Sequence, residues 1–295
     1  MVIIASFVSD RFLSPRNIFN LMQQSSISGV VAIGMTFVIL LGGIDLAVGS
    51  VMAVCAMVVS IALMYWGWSI PLSVALALLV GGFLGLISGL VVTIGKVPPF
   101  IATLATMVAA RGLALLSTDG QPVFGLPQPF LFLGAGYIGP VPVAGIIWLF
   151  CTLIAGLVLR FTVFGRSLYA IGGNYEAARL SGIRTQFYTT LAYVVSGFTS
   201  ALGGVLLASW LSVGQPTTGT GMELTAIAAV VLGGTSLSGG KGGMSGTLIG
   251  VLLLTIITNI FNLKGVSSYY QQIFMGAIIV VAVVLSKYLS VRTTR

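Results

Sequence analysis

Long apolar runs, almost free of charge, dominate this chain. They cover approximately residues 24–41, 46–66, 70–95, 98–117, 143–160, 186–212, 223–235, 244–262 and 268–286. About 20 apolar residues in a helix match the hydrocarbon thickness of a bilayer. A water-soluble fold cannot hide so much apolar surface. Charged residues make up only 6% of the chain, where soluble domains carry about 25%. No ten-residue alternation of polar and apolar positions suggests a β-barrel, so helices are the remaining way to span. The expectation is an all-α, polytopic integral membrane protein, with residues 1–295 forming a single transmembrane domain.

The apolar stretch Met1–Val8 is too short to span and is followed at once by Asp10, Arg11 and Arg16. It lacks the basic leader of a signal peptide and reads as the tail of a first, truncated spanning helix. Counting it gives about ten membrane segments. The run at 223–235 is short for a full crossing and reads as a half-helix or a tilted piece. Arg160, Arg166, Arg179 and Arg184 cluster in one loop, and Lys287, Arg292 and Arg295 close the chain. The excess of Lys and Arg in cytoplasmic loops assigns the 160–186 loop and the C-terminus to the cytoplasm. It also accounts for the net charge of +8 without a nucleic-acid partner. Alternating the spans then puts Lys96 and Lys241 inside, Lys264 outside, and the Pro- and Gly-rich stretch 118–142 outside as an irregular, stiff periplasmic loop.

Catalysis finds no residues here. The chain has no histidine, so its serines lack the commonest activating base. The two cysteines, Cys55 and Cys151, lie in apolar runs and offer neither a disulfide framework nor a metal site. Gly239–Gly243 (GGKGG) resembles a phosphate loop but departs from G-x-x-x-x-G-K-[ST] at both ends. Any ATP and magnesium that drive the protein must therefore be bound by another subunit, and no cofactor is expected in this chain.

A few polar residues stand out against that background. Asp45 follows a glycine pair between two apolar runs. An ionisable group at membrane depth suggests function, but an aspartate there also caps the next helix. Glu223 opens the short run after Gly214–Gly221. It suits a helix N-terminus, or contact with a partner or a passing solute. Asn259 and Asn262 share one helix face with Thr255 and Thr258 nearby. They either line a polar pathway or bond between helices. Gly81, Gly85 and Gly89, and again Gly242, Gly246 and Gly250, recur every four residues, a spacing that brings helices close within a subunit or between two. GGIDLAVG (42–49) and GGTSLSGG (233–240) share G-G-x-x-L-x-x-G, a faint internal repeat of the kind that marks broken helices.

One segment is polar and charged in the middle of all this: YAIGGNYEAARLSGIR, residues 169–184. Gly172 and Gly173 break the chain, and Asn174 is a good N-cap. Glu176 and Arg179 sit where a helix dipole prefers them, and Gly182 terminates the helix. A short capped helix therefore projects from the membrane, with Ala177, Ala178, Leu180 and Ile183 as a small apolar surface framed by charge. That surface suits a groove on a soluble partner.

These residues carry a family resemblance. YAIGGNYEAARLSGI is similar to the cytoplasmic coupling segment of bacterial ABC-importer permeases for monosaccharides. GMTFVILLGGIDLAVGS (34–50), GQPTTGTGMELTAIAAVVLGGTSLSGGKGG (214–243), GTLIG (246–250) and GVSSYYQQI (265–273) resemble the same family, the last three most of all its ribose-transporting branch. The resemblance runs from Phe12 to about Leu289. It implies a BtuC-like permease bundle with broken helices in the inner membrane. Two permease subunits, identical or related, would form the pathway. An ATP-binding-cassette ATPase would dock on the coupling helix, and a periplasmic sugar-binding protein would deliver the sugar. Gly172, Asn174, Glu176, Ala177, Ala178, Arg179, Leu180 and Gly182 would form the coupling surface, and Asp45, Glu223, Asn259 and Asn262 are the candidates for pathway or gate. The rival expectation is an ion-coupled secondary sugar transporter, for which only Asp45 and Glu223 qualify as intramembrane carboxylates.

Overall fold

A computed structural model describes residues 12–278 and residue 280. The apolar stretch 1–8, most of the run's end at 281–286 and the basic residues after it lie outside the described residues. The elements are α1 (Pro15–Leu40), α2 (Val48–Met64), α3 (Ile70–Thr93), α4 (Pro99–Leu116), α5 (Gln128–Ala135), a two-residue hairpin of β1 (Tyr137–Ile138) and β2 (Val141–Pro142), α6 (Val143–Phe161), α7 (Val163–Gly173), α8 (Tyr175–Leu180), α9 (Thr185–Leu211), α10 (Met222–Leu232) and α11 (Met244–Leu263). Helical backbone resumes at 268 and continues to 278. Among the described residues, six helices are long and apolar enough to cross a membrane: α1, α3, α4, α6, α9 and α11. The helices α2 and α10 are apolar but shorter.

Two expectations need correction. The run read as 24–41 belongs to a helix that starts at Pro15, capped by the Ser14 hydroxyl, which accepts from the Asn17 amide. The start was hidden because the first turns carry Asn17, Gln23, Ser25 and Ser26, which the fold buries. Polar side chains inside a membrane bundle face protein, so hydropathy alone underestimates such a helix. The stretch 118–142 is not irregular throughout: it holds α5 and the β1–β2 hairpin. Proline is tolerated in the first helical turn, and Pro129 sits there in α5. The Ser209 hydroxyl of α9 donates to Phe130 O at 2.7 Å and accepts from Gly134 N at 2.7 Å. These bonds dock α5 onto the bundle.

At the centre lies α9, packed against α1, α2, α3 and α5. The row Gly81, Gly85 and Gly89 of α3 faces it, with no room for a Cβ between Gly85 and the Tyr193 carbonyl. Likewise Gly246 and Gly250 of α11 rest on the Gly233 and Ala229 carbonyls at and within the end of α10, whereas Gly242 precedes α11. The close approach in both rows is therefore internal to the chain. The two halves of the repeat do similar work: α1 and α10 each end just before a glycine with positive φ, Gly42 at 78° and Gly234 at 88°. The two breaks touch, Gly240 N donating to Leu40 O at 2.9 Å.

The bundle has one markedly basic end. The C-terminal ends of α1, α3 and α6, the start of α9 and the α10–α11 loop meet there. Thr93 and Thr190 share a hydrogen bond of 3.0 Å, and the Tyr169 hydroxyl donates to Gly242 O at 3.0 Å. Lys96, Arg160, Arg166, Arg179, Arg184 and Lys241 belong to this end, and Arg16 and Lys264 to the other. The reading that groups Lys96 and Lys241 with the 160–186 segment, opposite Lys264, matches this arrangement.

Candidate functional site

At the basic end the chain turns a sharp corner. Thr162 caps α7 by accepting from Gly165 N at 3.1 Å. Asn174 then ends α7 and begins α8 in extended backbone, its Oδ1 accepting from Ala177 N at 3.0 Å. Glu176 pairs with Arg179, accepting from Nε at 3.0 Å and Nη2 at 2.8 Å. The pair is solvated, so its contribution is about 0.5 kcal/mol. Beyond α8, Gly182 adopts a φ of 81°, Ile183 N donates to Ala178 O and Gly182 N to Arg179 O. This double closure needs the left-handed residue that glycine supplies without strain. The helix is thus short but clamped at both ends.

Its faces divide more sharply than the sequence suggested. Leu180 projects outward, 81% exposed, with Tyr175 and Ala177 also exposed. Ala178 is 5% exposed and faces the bundle, so it anchors α8 and is not part of an outward surface. Gly172 lies deeper. A Cβ there would strike the Leu40 carbonyl and the Gly240 amide. The end of α7 therefore touches, backbone to backbone, both the end of α1 and the loop between α10 and α11.

The interior candidates are not brought together. Asp45 is 3% exposed. Its Oδ1 accepts from Ala47 N at 2.9 Å and its Oδ2 from the Ser196 hydroxyl at 2.6 Å. The first bond shapes the turn before α2, whose N-cap residue is Ala47, and the second ties that break to α9. Glu223 stands in the first turn of α10, partly buried and packed against Gly49 of α2. The loop before it is drawn into the bundle: Gly214 pairs with Val123, and Thr218 is 9% exposed.

Arg111 holds that loop, and sequence reasoning missed it. It lies inside the apolar run of α4 and donates through Nη1 to Pro216 O at 2.8 Å and Thr218 O at 2.9 Å. A lone arginine in a spanning run was the available signal, since such a group demands partners.

The polar row of α11 also divides. Asn259 is buried and exchanges reciprocal amide bonds of 2.9 and 3.0 Å with Asn17 of α1. Asn262 is exposed and accepts from Gln271 at 2.9 Å. Thr255 and Thr258 instead line a cleft of roughly 150 Å³ between α1, α10, α11 and the helix that resumes at 268, where Gln24, Ser28 and Thr225 are set among Ala229, Val251, Leu254 and Met275. The three threonines donate to carbonyls of their own helices. Their oxygen lone pairs remain free to accept, and the Gln24 amide can both donate and accept. Hydroxyls and one amide set among apolar side chains, with no charged group, make a wall suited to an uncharged solute. Among the described residues no three His, Cys, Asp or Glu side chains gather to hold a metal.

Comparison with known proteins places this architecture. Residues 17–283 match the family model described as branched-chain amino acid transport system / permease component. The ribose import permease protein of Bacillus subtilis is 48% identical, over 97% of this chain and 89% of that one. Its counterpart in Haemophilus influenzae is 45% identical, over 99% and 91%. The D-allose transport system permease protein of Escherichia coli is 37% identical, over 98% and 89%. No solved structure matches. With the family model spanning nearly all of its helices, the chain belongs to the branched-chain amino acid transport system / permease component family.

Proposed function

We propose that this chain is the transmembrane subunit of an ATP-driven ABC importer and forms the path for a monosaccharide, ribose first. Identity of 42–48% with ribose import permeases over nearly the whole chain supports the substrate. One structural observation carries the mechanism. The clamped helix α8, with Leu180 turned outward, continues through Gly172 into contact with α1 and the α10–α11 loop. The helices α1, α10 and α11 wall the cleft together with the helix that resumes at 268. A partner that moves α8 therefore acts on the cleft directly. Nucleotide binding to that partner would shift the population of inward- and outward-open states.

The finer features follow from this reading. The basic end, with residues 160–186, is cytoplasmic. The segment 118–142 and Lys264 face the periplasm, where a sugar-binding protein delivers the solute. The chain is one domain with about ten membrane segments in a BtuC-like bundle, and a second copy completes the pathway. ATP and magnesium bind the ATPase subunit. An ion-coupled transporter is less well supported, because Asp45 already has two protein partners and Glu223 is packed against Gly49 of α2.

The test is reconstitution with the ATPase and sugar-binding subunits in proteoliposomes. Uptake of labelled ribose that requires ATP and the binding protein is expected. Uptake driven by a proton or sodium gradient without ATP would overturn the reading.

A further inference from the structure

A second recess lies apart from the cleft, on the outer flank of the bundle. It runs between α6, α7 and α11 and has a volume of roughly 740 Å³. Leu149, Leu153 and Leu157 form one wall along α6, and Leu248 of α11 forms the other. Gly156 makes the floor, where α6 comes close to Met244. The apolar part ends at Arg160 and Arg166, joined by Tyr169 and Ser245.

Three observations fix the kind of occupant. The first is length. From Leu149 to Arg160 is eleven residues, or about 17 Å of helix, and one leaflet of the hydrocarbon core is about 15 Å deep. A spanning helix of another subunit would need a groove twice as long. The second is charge. Among the described residues the only ion pair is Arg179 with Glu176, so neither Arg160 nor Arg166 meets a carboxylate there. The third is the start of α11, whose N-cap is Gly243 and offers no side-chain oxygen to the first amides. Ser245 in that first turn lines the recess, so an anionic oxygen placed there meets the positive end of a twenty-residue helix.

We infer that this groove is a binding site for an anionic phospholipid of the leaflet at the basic end, with an acyl chain along α6 and the phosphate between Arg160, Arg166 and the start of α11. The wall is apolar where the lipid is apolar, and the cations stand at headgroup depth. A lipid seated there bridges α6 and α7 to α11. It would brace the flank of the bundle next to the junction at Gly172.

The experiment is native mass spectrometry of the full chain, purified from membranes and offered phosphatidylglycerol and phosphatidylcholine in equal amounts. A basic residue near an anionic surface gives about a fivefold preference, so two give about thirtyfold. Wild type should therefore retain phosphatidylglycerol strongly over phosphatidylcholine, and Arg160→Gln/Arg166→Gln should lose that preference. Leu153 is 60% exposed, so Leu153→Trp fills the groove without disturbing the core and should reduce retention with the charges intact. Excess inorganic phosphate should not displace the lipid. The inference fails if both lipids are retained equally, if free phosphate competes, or if the arginine variant keeps its lipid preference. Loss of the ATPase subunit in that last case would assign the two arginines to docking instead.

Discussion

The helices α1 and α3 are both long enough to span, and both pack on α9, yet they solve opposite problems. In an apolar stretch of 18 residues from each, 89% of the residues are buried in α1 and 33% in α3. The buried helix is the one that carries Asn17, Gln23, Ser25, Ser26 and Thr36 in its interior faces. By contrast α3 carries Leu79 and Phe83 at its surface, 72% and 60% exposed, and meets its neighbour through a glycine row. In a bilayer the outside is as apolar as any core, so polar residues mark the inside. That inversion explains why the polar helix α1 walls the cleft, while α3 turns leucine and phenylalanine outward.

The two helices differ most at the glycine row of α3. Gly85→Leu drives a side chain into the Tyr193 carbonyl. It should destabilise the protein by about 3 kcal/mol or more, seen as loss of folded protein from the membrane fraction. Arg111→Met should come next. It frees the carbonyls of Pro216 and Thr218, each held by a charge-assisted bond, at a loss of about 1.5–3 kcal/mol. Thermal unfolding in detergent would read it, along with faster proteolysis of the 214–221 loop. On α1, Asn17→Leu orphans Asn259 and should lower stability by about 0.6–2 kcal/mol. Adding Asn259→Leu should recover part of that loss, since the Asn259 amide is no longer orphaned while Phe12 O, which accepts from Asn17 Nδ2 at 2.9 Å, still lacks its donor. Phe83→Leu on the lipid face should change stability by less than about 0.5 kcal/mol. A large effect there would mean that α3 faces protein.

These helices also explain what the sequence could and could not convey. The ends of α2, α3, α4, α9 and α11 fall within a few residues of the apolar runs, because the membrane itself sets where a span stops. The corner at Asn174 and the closure at Gly182 were legible because both are local backbone chemistry. The start of α1 was not, since a buried Gln23 looks solvated until its partner is known. The helix α5 was hidden for a similar reason: its prolines suggest a loop, and only the docking of Phe130 and Gly134 on Ser209 makes it a helix in place. In the cleft, Thr255 and Asn259 look alike in the sequence. Only the fold distinguishes Thr255, which faces the opening, from Asn259, which is locked to Asn17. Arg111 was obscured by the very apolarity of its run.

Motion at α8 should reach the cleft through the backbone contact at Gly172. Gly172→Ala tests it most directly, because the added methyl meets the Leu40 carbonyl and Gly240 amide and leaves the outer face of α8 intact. ATP hydrolysis and ribose uptake should be measured together in the reconstituted transporter. Hydrolysis should stay close to wild type, with uptake per ATP reduced at least about fivefold, the lower range of an allosteric coupling. Unchanged uptake per ATP, with the ATPase still bound, would contradict it.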